Sequence, residues 1–270
     1  MNRVFQIAVG AALSILATDG RALAEPAAPT MSDKPALVAP PAAVESDGDS
    51  ETAPDDESAS SNPDPAESAN RAVFAGNQFV DRHLLKPVAE AYEDNVPGSV
   101  RQSLHNFAAN LGEPSVLVND VLQGNAGRAW TTMRRFVVNT TVGGVGLFDP
   151  ATGWGLAYHD ADFGQTFGVW GAGPGPDVQL PLLGFSNVRD TVGLAIGSVA
   201  NPLGQFSGGA VTGVRTAATG IGAVDSRAEA IPATDLLERS SVDYYAALRS
   251  VTAQRRARLV EQGRSGELSP

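Results

Sequence analysis

Cysteine is absent from all 270 residues. This excludes disulfides, zinc–thiolate sites, cysteine nucleophiles and any acylated cysteine within this sequence. Histidine is scarce, at three residues, and the formal net charge is −11, so nothing supplies the basic face that nucleic-acid binding requires. Catalytic signatures are missing too. There is no G-x-S-x-G elbow, no phosphate-cradling glycine loop followed by lysine, and no G-x-G-x-x-G after a strand. The expectation is a protein that is not an enzyme and has no cofactor or metal centre.

What is present begins at the N-terminus. Arg3 precedes an apolar run over residues 4–17, and Ala22-Leu23-Ala24 offers the small-x-small pattern of a cleavage site. The run of about 14 residues is shorter than the roughly 20 needed to cross a bilayer. Residues 1–24 therefore read as a signal peptide cut between Ala24 and Glu25, which sends the chain out of the cytoplasm. Residues 25–67 hold eleven acidic residues and one lysine, and no aromatic occurs from Glu25 to Ser61. Such a stretch cannot bury enough apolar surface to offset its ordering entropy, so 25–63 reads as a disordered, extended leader. Residues 68–270 then carry 18 acidic and 16 basic residues and are close to neutral.

The remainder has the size of one domain, 64–263, with a disordered tail at 264–270. Its periodicity is helical. Val100, Leu104, Phe107 and Leu111 follow Pro97, and a second helix opens at Pro114 with Leu117, Val118, Val121 and Leu122 on one face. From Ala126 to Thr141 a stripe of Ala129, Trp130, Met133, Phe136 and Val137 forms. Two more helices fall at 232–240 and 243–262. Alternating strand patterns are hard to find, and the predicted class is all-α.

The middle of the domain is short of charge. Residues 163–214 contain only Asp177, Arg189 and Asp190, where an average chain is about a quarter charged. Glycine and proline punctuate the stretch, so no 18-residue apolar run emerges. Two readings stand, a glycine-rich soluble core or short helices lying within a membrane plane. Trp154, Tyr158 and Trp170 surround this region, and rings of that kind suit either a membrane–water interface or a core. His83 and His105 fall in helices. His159, Asp160 and Asp162 would make a hydrolase only if they converged on a metal or nucleophile.

Several motifs together carry a resemblance. Asp64-Pro65-Ala66-Glu67 with Asn70-Arg71, Asn110-Leu111-Gly112-Glu113-Pro114, and Asn119-Asp120-Val121-Leu122-Gln123-Gly124 occur in order. Arg135-Phe136, Asn139-Thr140-Thr141 and Gly146-Leu147-Phe148-Asp149 follow. Then come Asp162-Phe163-Gly164-Gln165-Thr166, Trp170-Gly171, Leu180-Pro181-Leu182-Leu183-Gly184 and Arg189-Asp190, with similarity again around Tyr244, Arg249 and Arg256. From Asp64 to Gly263 this chain resembles the MlaA (VacJ) family.

The resemblance implies a ring-like helical domain with in-plane, membrane-embedded helices on the periplasmic side of the outer membrane. It implies transport of mislocalised phospholipids from the outer leaflet toward a periplasmic lipid carrier of the Mla system, with a trimeric porin as partner. A porin-associated scaffold without transport is the alternative. Gly143, Gly144 and Gly146 stand as a candidate hinge, or as a helix cap. Three departures are visible. The glycine order differs from the family's V-G-x-G-G, Asp177 replaces a common aromatic, and Ser68-Ala69 replaces a Gly-Phe pair. Members are typically anchored through an acylated cysteine, so here membrane residence is expected to lie in the domain itself.

Overall fold

The computed structural model describes residues 64–205 and 209–267. The predicted signal peptide with its Ala24/Glu25 cleavage point, the leader over 25–63, and the last three residues of the predicted tail lie outside the described residues. Helix α1 (Glu67–Val80) runs through a π-turn (Asp81–Leu85) into α2 (Lys86–Asn95). Helices α3 (Gly98–Leu122) and α4 (Ala126–Thr141) form a hairpin whose turn has Gly124 at φ 76°. After the single turn α5 (Pro150–Gly153) come α6 (Phe163–Val169), strands β1 (Asp177–Leu180) and β2 (Gly184–Asn187), and α7 (Val188–Ala200). A 3-10 turn (Pro202–Gln205) leads toward α8 (Gly209–Ser240), and α9 (Tyr244–Ser265) closes the fold. The class is all-α. Its one antiparallel hairpin pairs Asp177 with Asn187 and Leu180 with Gly184.

Of the three prolines read as helix starts, Pro97 does cap α3, while the other two lie inside longer helices. Pro114 falls within α3 and Pro232 within α8. An interior proline costs about 3 kcal/mol because a backbone bond is lost and the ring crowds the preceding turn. In each case interhelical bonds lie close to the proline. Around Pro114, the Asn110 amide donates to Thr140 Oγ1 at 3.0 Å and Glu113 pairs with Arg135 at 3.0 Å. Around Pro232, Arg227 grips Asp81 at 2.6 Å and Lys86 reaches Asp235 at 2.7 Å. Helix α9 continues two residues beyond Gly263 to Ser265, where Gly266 at φ 69° supplies the left-handed cap.

Helix α1 docks through two asparagines spaced seven apart, on one face. Asn70 donates to the Asp177 carbonyl and accepts from Gln179 N–H, and Asn77 does the same with the Leu180 carbonyl and Leu182 N–H. Two side-chain amides thus stand in for a neighbouring strand on the free edge of β1. Ser68 and Ala69 are exposed and take no part in the docking.

Burial runs opposite to the soluble norm. The largest side chains with almost no exposure are Gln165, Glu113, Asn119, Thr132, Thr166 and Asp120, all polar. One apolar cluster exists among the described residues, built on Ala89, Tyr92 and Ala228 with Val96, Leu104, Val224 and Ile231 packed against it. The α4 stripe has the expected period, but apart from the buried Ala129 and the half-buried Phe136 it faces outward. Trp130, Met133 and Val137 are 57%, 38% and 53% exposed, while Arg128, Thr132, Arg135 and Asn139 are buried. Helix α7 repeats this, with Val188, Val192, Ile196 and Val199 exposed along one side. No described helix is long and apolar enough to cross a membrane.

Arg135 organises the α3–α4 interior. Its Nε donates to Glu113, Nη2 to Asp149 at 3.0 Å, and Nη1 to Thr152 and the Leu156 carbonyl. Arg135→Met leaves the buried Glu113 without its cation, and such a loss costs about 3–5 kcal/mol. Urea unfolding of the detergent-solubilised protein should show it; a change below about 1 kcal/mol would contradict this account.

Candidate functional site

Three elements meet around Arg256 of α9. Asp162 caps α6 by accepting the Gln165 N–H at 2.8 Å, and Asn187 caps α7 by accepting the Asp190 N–H at 2.9 Å. Both helix N-termini therefore present a carboxylate, where the helix dipole favours negative charge. Arg256 joins them, donating to Asp162 at 2.7 Å and Asp190 at 2.8 Å. This requires α6 and α7 to touch. A Cβ on Gly193 would lie 2.2 Å from the Gly164 nitrogen, so only glycine permits the approach. Burial pushes the Asp190 carboxyl up, but Arg256 and Arg189 outweigh it and hold the group below the usual carboxylate range.

Seven residues before Arg256 on α9, Arg249 donates to Asp177 at 2.6 Å. All three charges of the charge-poor segment are thereby engaged: Asp177 with Arg249, Asp190 with Arg256, and Arg189 with Asp190 at 2.8 Å. A cavity of about 280 Å³ opens beside them. Leu180, Leu183, Phe185 and Leu194 give it an apolar wall, while Asp162, Asp177, Asp190, Arg249 and Arg256 give it both signs of charge. A second cavity of about 450 Å³ shares Asp177 and Arg249 and is otherwise lined by Asp64, Pro65, Pro174, Gly175 and Pro176. Paired cation and anion beside an apolar wall suit a zwitterionic, amphipathic guest.

The trio His159, Asp160 and Asp162 does not converge. His159 Nε2 lies 2.9 Å from both Asp120 oxygens, while Asp162 turns to Arg256. Desolvation and then the nearby Asp162 push the Asp160 carboxyl up. Thr132 also approaches His159 Nε2, at 3.3 Å. Carboxylate and hydroxyl thus share one nitrogen, and a relay needs them on opposite nitrogens.

Trp154, Tyr158 and Trp170 are all on the surface, with Trp170 Nε1 donating to the Leu122 carbonyl at 2.9 Å. The glycine stretch after α4 is a bonded cap in this conformation. Gly143 N–H reaches the Val138 carbonyl, Val145 that of Thr140, and Gly146 that of Asn139. A Cβ at Gly143 would meet the Phe148 carbonyl oxygen at 2.4 Å, and one at Gly146 would meet Asn110 at 2.6 Å. A Cβ at Gly144, at φ 61°, would make only an ordinary contact with the Phe148 ring at 3.9 Å. Val145 takes φ 63°, a strained value for a β-branched residue, where the family order would place glycine.

A family model described as MlaA lipoprotein matches residues 62–259. The intermembrane phospholipid transport system lipoprotein MlaA of Escherichia coli K12 is 34% identical over 214 residues, covering 77% of this chain and 81% of that protein. An uncharacterized protein of Rickettsia felis is 33% identical over 199 residues, 73% of this chain and 78% of the relative. A solved chain from work on the structural basis for maintenance of bacterial outer membrane lipid asymmetry superposes with a TM-score of 0.65 at 32% identity. It covers 74% of this chain and all of its own.

Two outcomes follow. Because Asp190 has a folded pKa below its unfolded one, its contribution is complete above the ordinary carboxylate range and is lost as pH falls through the folded value. Arg256→Gln should flatten the acid limb of melting temperature against pH; an unchanged slope would refute the linkage. Gly144→Ala should cost only the left-handed penalty of about 1–2 kcal/mol, whereas Gly146→Ala should cost clearly more in the same urea titration.

Proposed function

The chain belongs to the MlaA lipoprotein family, and from that premise we propose that it carries phospholipids out of the outer leaflet of the outer membrane toward a periplasmic carrier. It does so without catalysis, in contact with a trimeric porin. The observation that carries this reading is the pattern of burial: the largest fully buried side chains are polar, and apolar faces of α4 and α7 point outward.

A phospholipid asks for both halves of that arrangement. Its headgroup needs hydrogen-bonding partners along the way, since an unpaired buried polar group costs several kcal/mol. Its carrier needs a seat in the bilayer. Each exposed valine, leucine, methionine or aromatic withdrawn from water contributes about 1.5–3 kcal/mol, so the outward faces supply a hold of useful size without a spanning helix. Trp154, Tyr158 and Trp170 take the interface in this picture. The cavities at Arg249 and Asp177 accept the headgroup, cation toward phosphate and carboxylate toward amine.

Outer-leaflet phospholipid is the deciding measurement. A strain lacking the gene should accumulate it, and wild-type protein should clear it. Trp130→Asp combined with Val137→Asp should shift the protein from the membrane to the soluble periplasm and leave the accumulation in place. Normal lipid asymmetry in the deletion strain, with porin still co-purifying with the wild-type protein, would overturn transport in favour of a scaffold.

A further inference from the structure

Away from these cavities, three chemistry-bearing side chains from two helices meet. His105 of α3 faces Asp225 and Glu229, one turn apart on α8. His105 Nδ1 lies 2.9 Å from an Asp225 oxygen and 3.6 Å from a Glu229 oxygen, and the three ligand atoms all fall within 4.8 Å of one another. We infer that His105, Asp225 and Glu229 form a binding site for a divalent transition-metal ion of the zinc class.

Geometry supports this first. Zinc binds nitrogen and carboxylate oxygen at about 2.0–2.2 Å, which in a tetrahedral arrangement places neighbouring ligand atoms about 3.4 Å apart. The observed separations bracket that value, so small side-chain adjustments complete the site. Two carboxylates with one imidazole favour zinc and its first-row neighbours over calcium or magnesium, which seek more oxygen ligands.

Electrostatics points the same way. Asp225 is 5% exposed, and among the described residues neither it nor Glu229 is paired with a lysine or arginine. Their shared partner His105 is a cation only when protonated, and beside a neutral imidazole a divalent cation supplies the neutralising charge. The other Asp225 oxygen accepts the Tyr92 hydroxyl at 3.1 Å. Such an outer hydrogen bond orients a ligating carboxylate. His105 and Glu229 keep solvent contact, leaving an entry path and a fourth position for water. The ion would tie α3 to α8 beside the apolar cluster of Ala89, Tyr92 and Ala228.

The absence of cysteine and the small number of histidines make the test clean. Chelator-treated, full-length protein in detergent is titrated with zinc chloride by calorimetry, and its melting temperature is followed with and without zinc. One zinc per chain is expected, with a higher melting temperature. Glu229→Gln, at an exposed position that leaves folding intact, and His105→Ala should each weaken binding tenfold or more. Tyr92→Phe should weaken it about tenfold, and His83→Ala should leave it unchanged. No zinc binding by the folded wild-type protein, or an affinity unaltered by both His105→Ala and Glu229→Gln, would overturn the assignment.

Discussion

Arg135 commits its guanidinium to Glu113, Asp149, Thr152 and the Leu156 carbonyl from a position almost wholly out of solvent. A buried cation is tolerable only when its donors are matched, and this one is matched by α3, α5 and the loop after α5 together. Removing any of these elements would expose the others' polar atoms to an unsatisfied interior. The α3–α4 hairpin, the Asp149 cap on α5 and the chain leading to His159 are therefore one cooperative unit. Asp149 binds further members of that unit, accepting from Asn139 at 2.9 Å and from the Thr152 N–H and hydroxyl as well as from Arg135.

A polar interior has a corollary at the surface. Side chains such as Trp130, Val137 and Val199 are not needed inside, and they remain outside in continuous faces. In water such faces are a liability, whereas in a bilayer they are a seat. The same arrangement leaves the protein with hydrogen-bonding side chains within and apolar surfaces without. Arg256 extends this logic to the C-terminal helix, since it brings the dipole-favoured carboxylates of α6 and α7 to α9 and so sets the wall of the cavity at Arg249 and Asp177.

Much of the helical content was legible. The Ala126–Thr141 stripe was found with its bounds, because periodicity records which residues share a face. It does not record which way that face points, so the stripe could be read as core or as membrane seat until the buried Arg128, Thr132 and Arg135 identified the inner side. Pro114 and Pro232 misled for a related reason. A proline is a strong local signal, and the ion pairs that override it join residues such as Asp81 and Arg227, far apart in the chain. The glycines after α4 showed a break but not its packing, which Phe148 and Asn110 decide.

By itself the sequence determined an all-α domain, the neutral character of its folded part, the family motifs, and the lack of thiol chemistry. All of these follow from residue type and local spacing. Tertiary structure alone decided the inward and outward faces, the pairing of Asp177 with Arg249 and of Arg256 with two helix N-termini, and the meeting of His105 with Asp225 and Glu229. These depend on contacts between residues scores of positions apart, whose energy exists only once helices are packed. The missing cysteine belongs to the sequence. The apolar surface that can seat the domain in a membrane belongs to the fold.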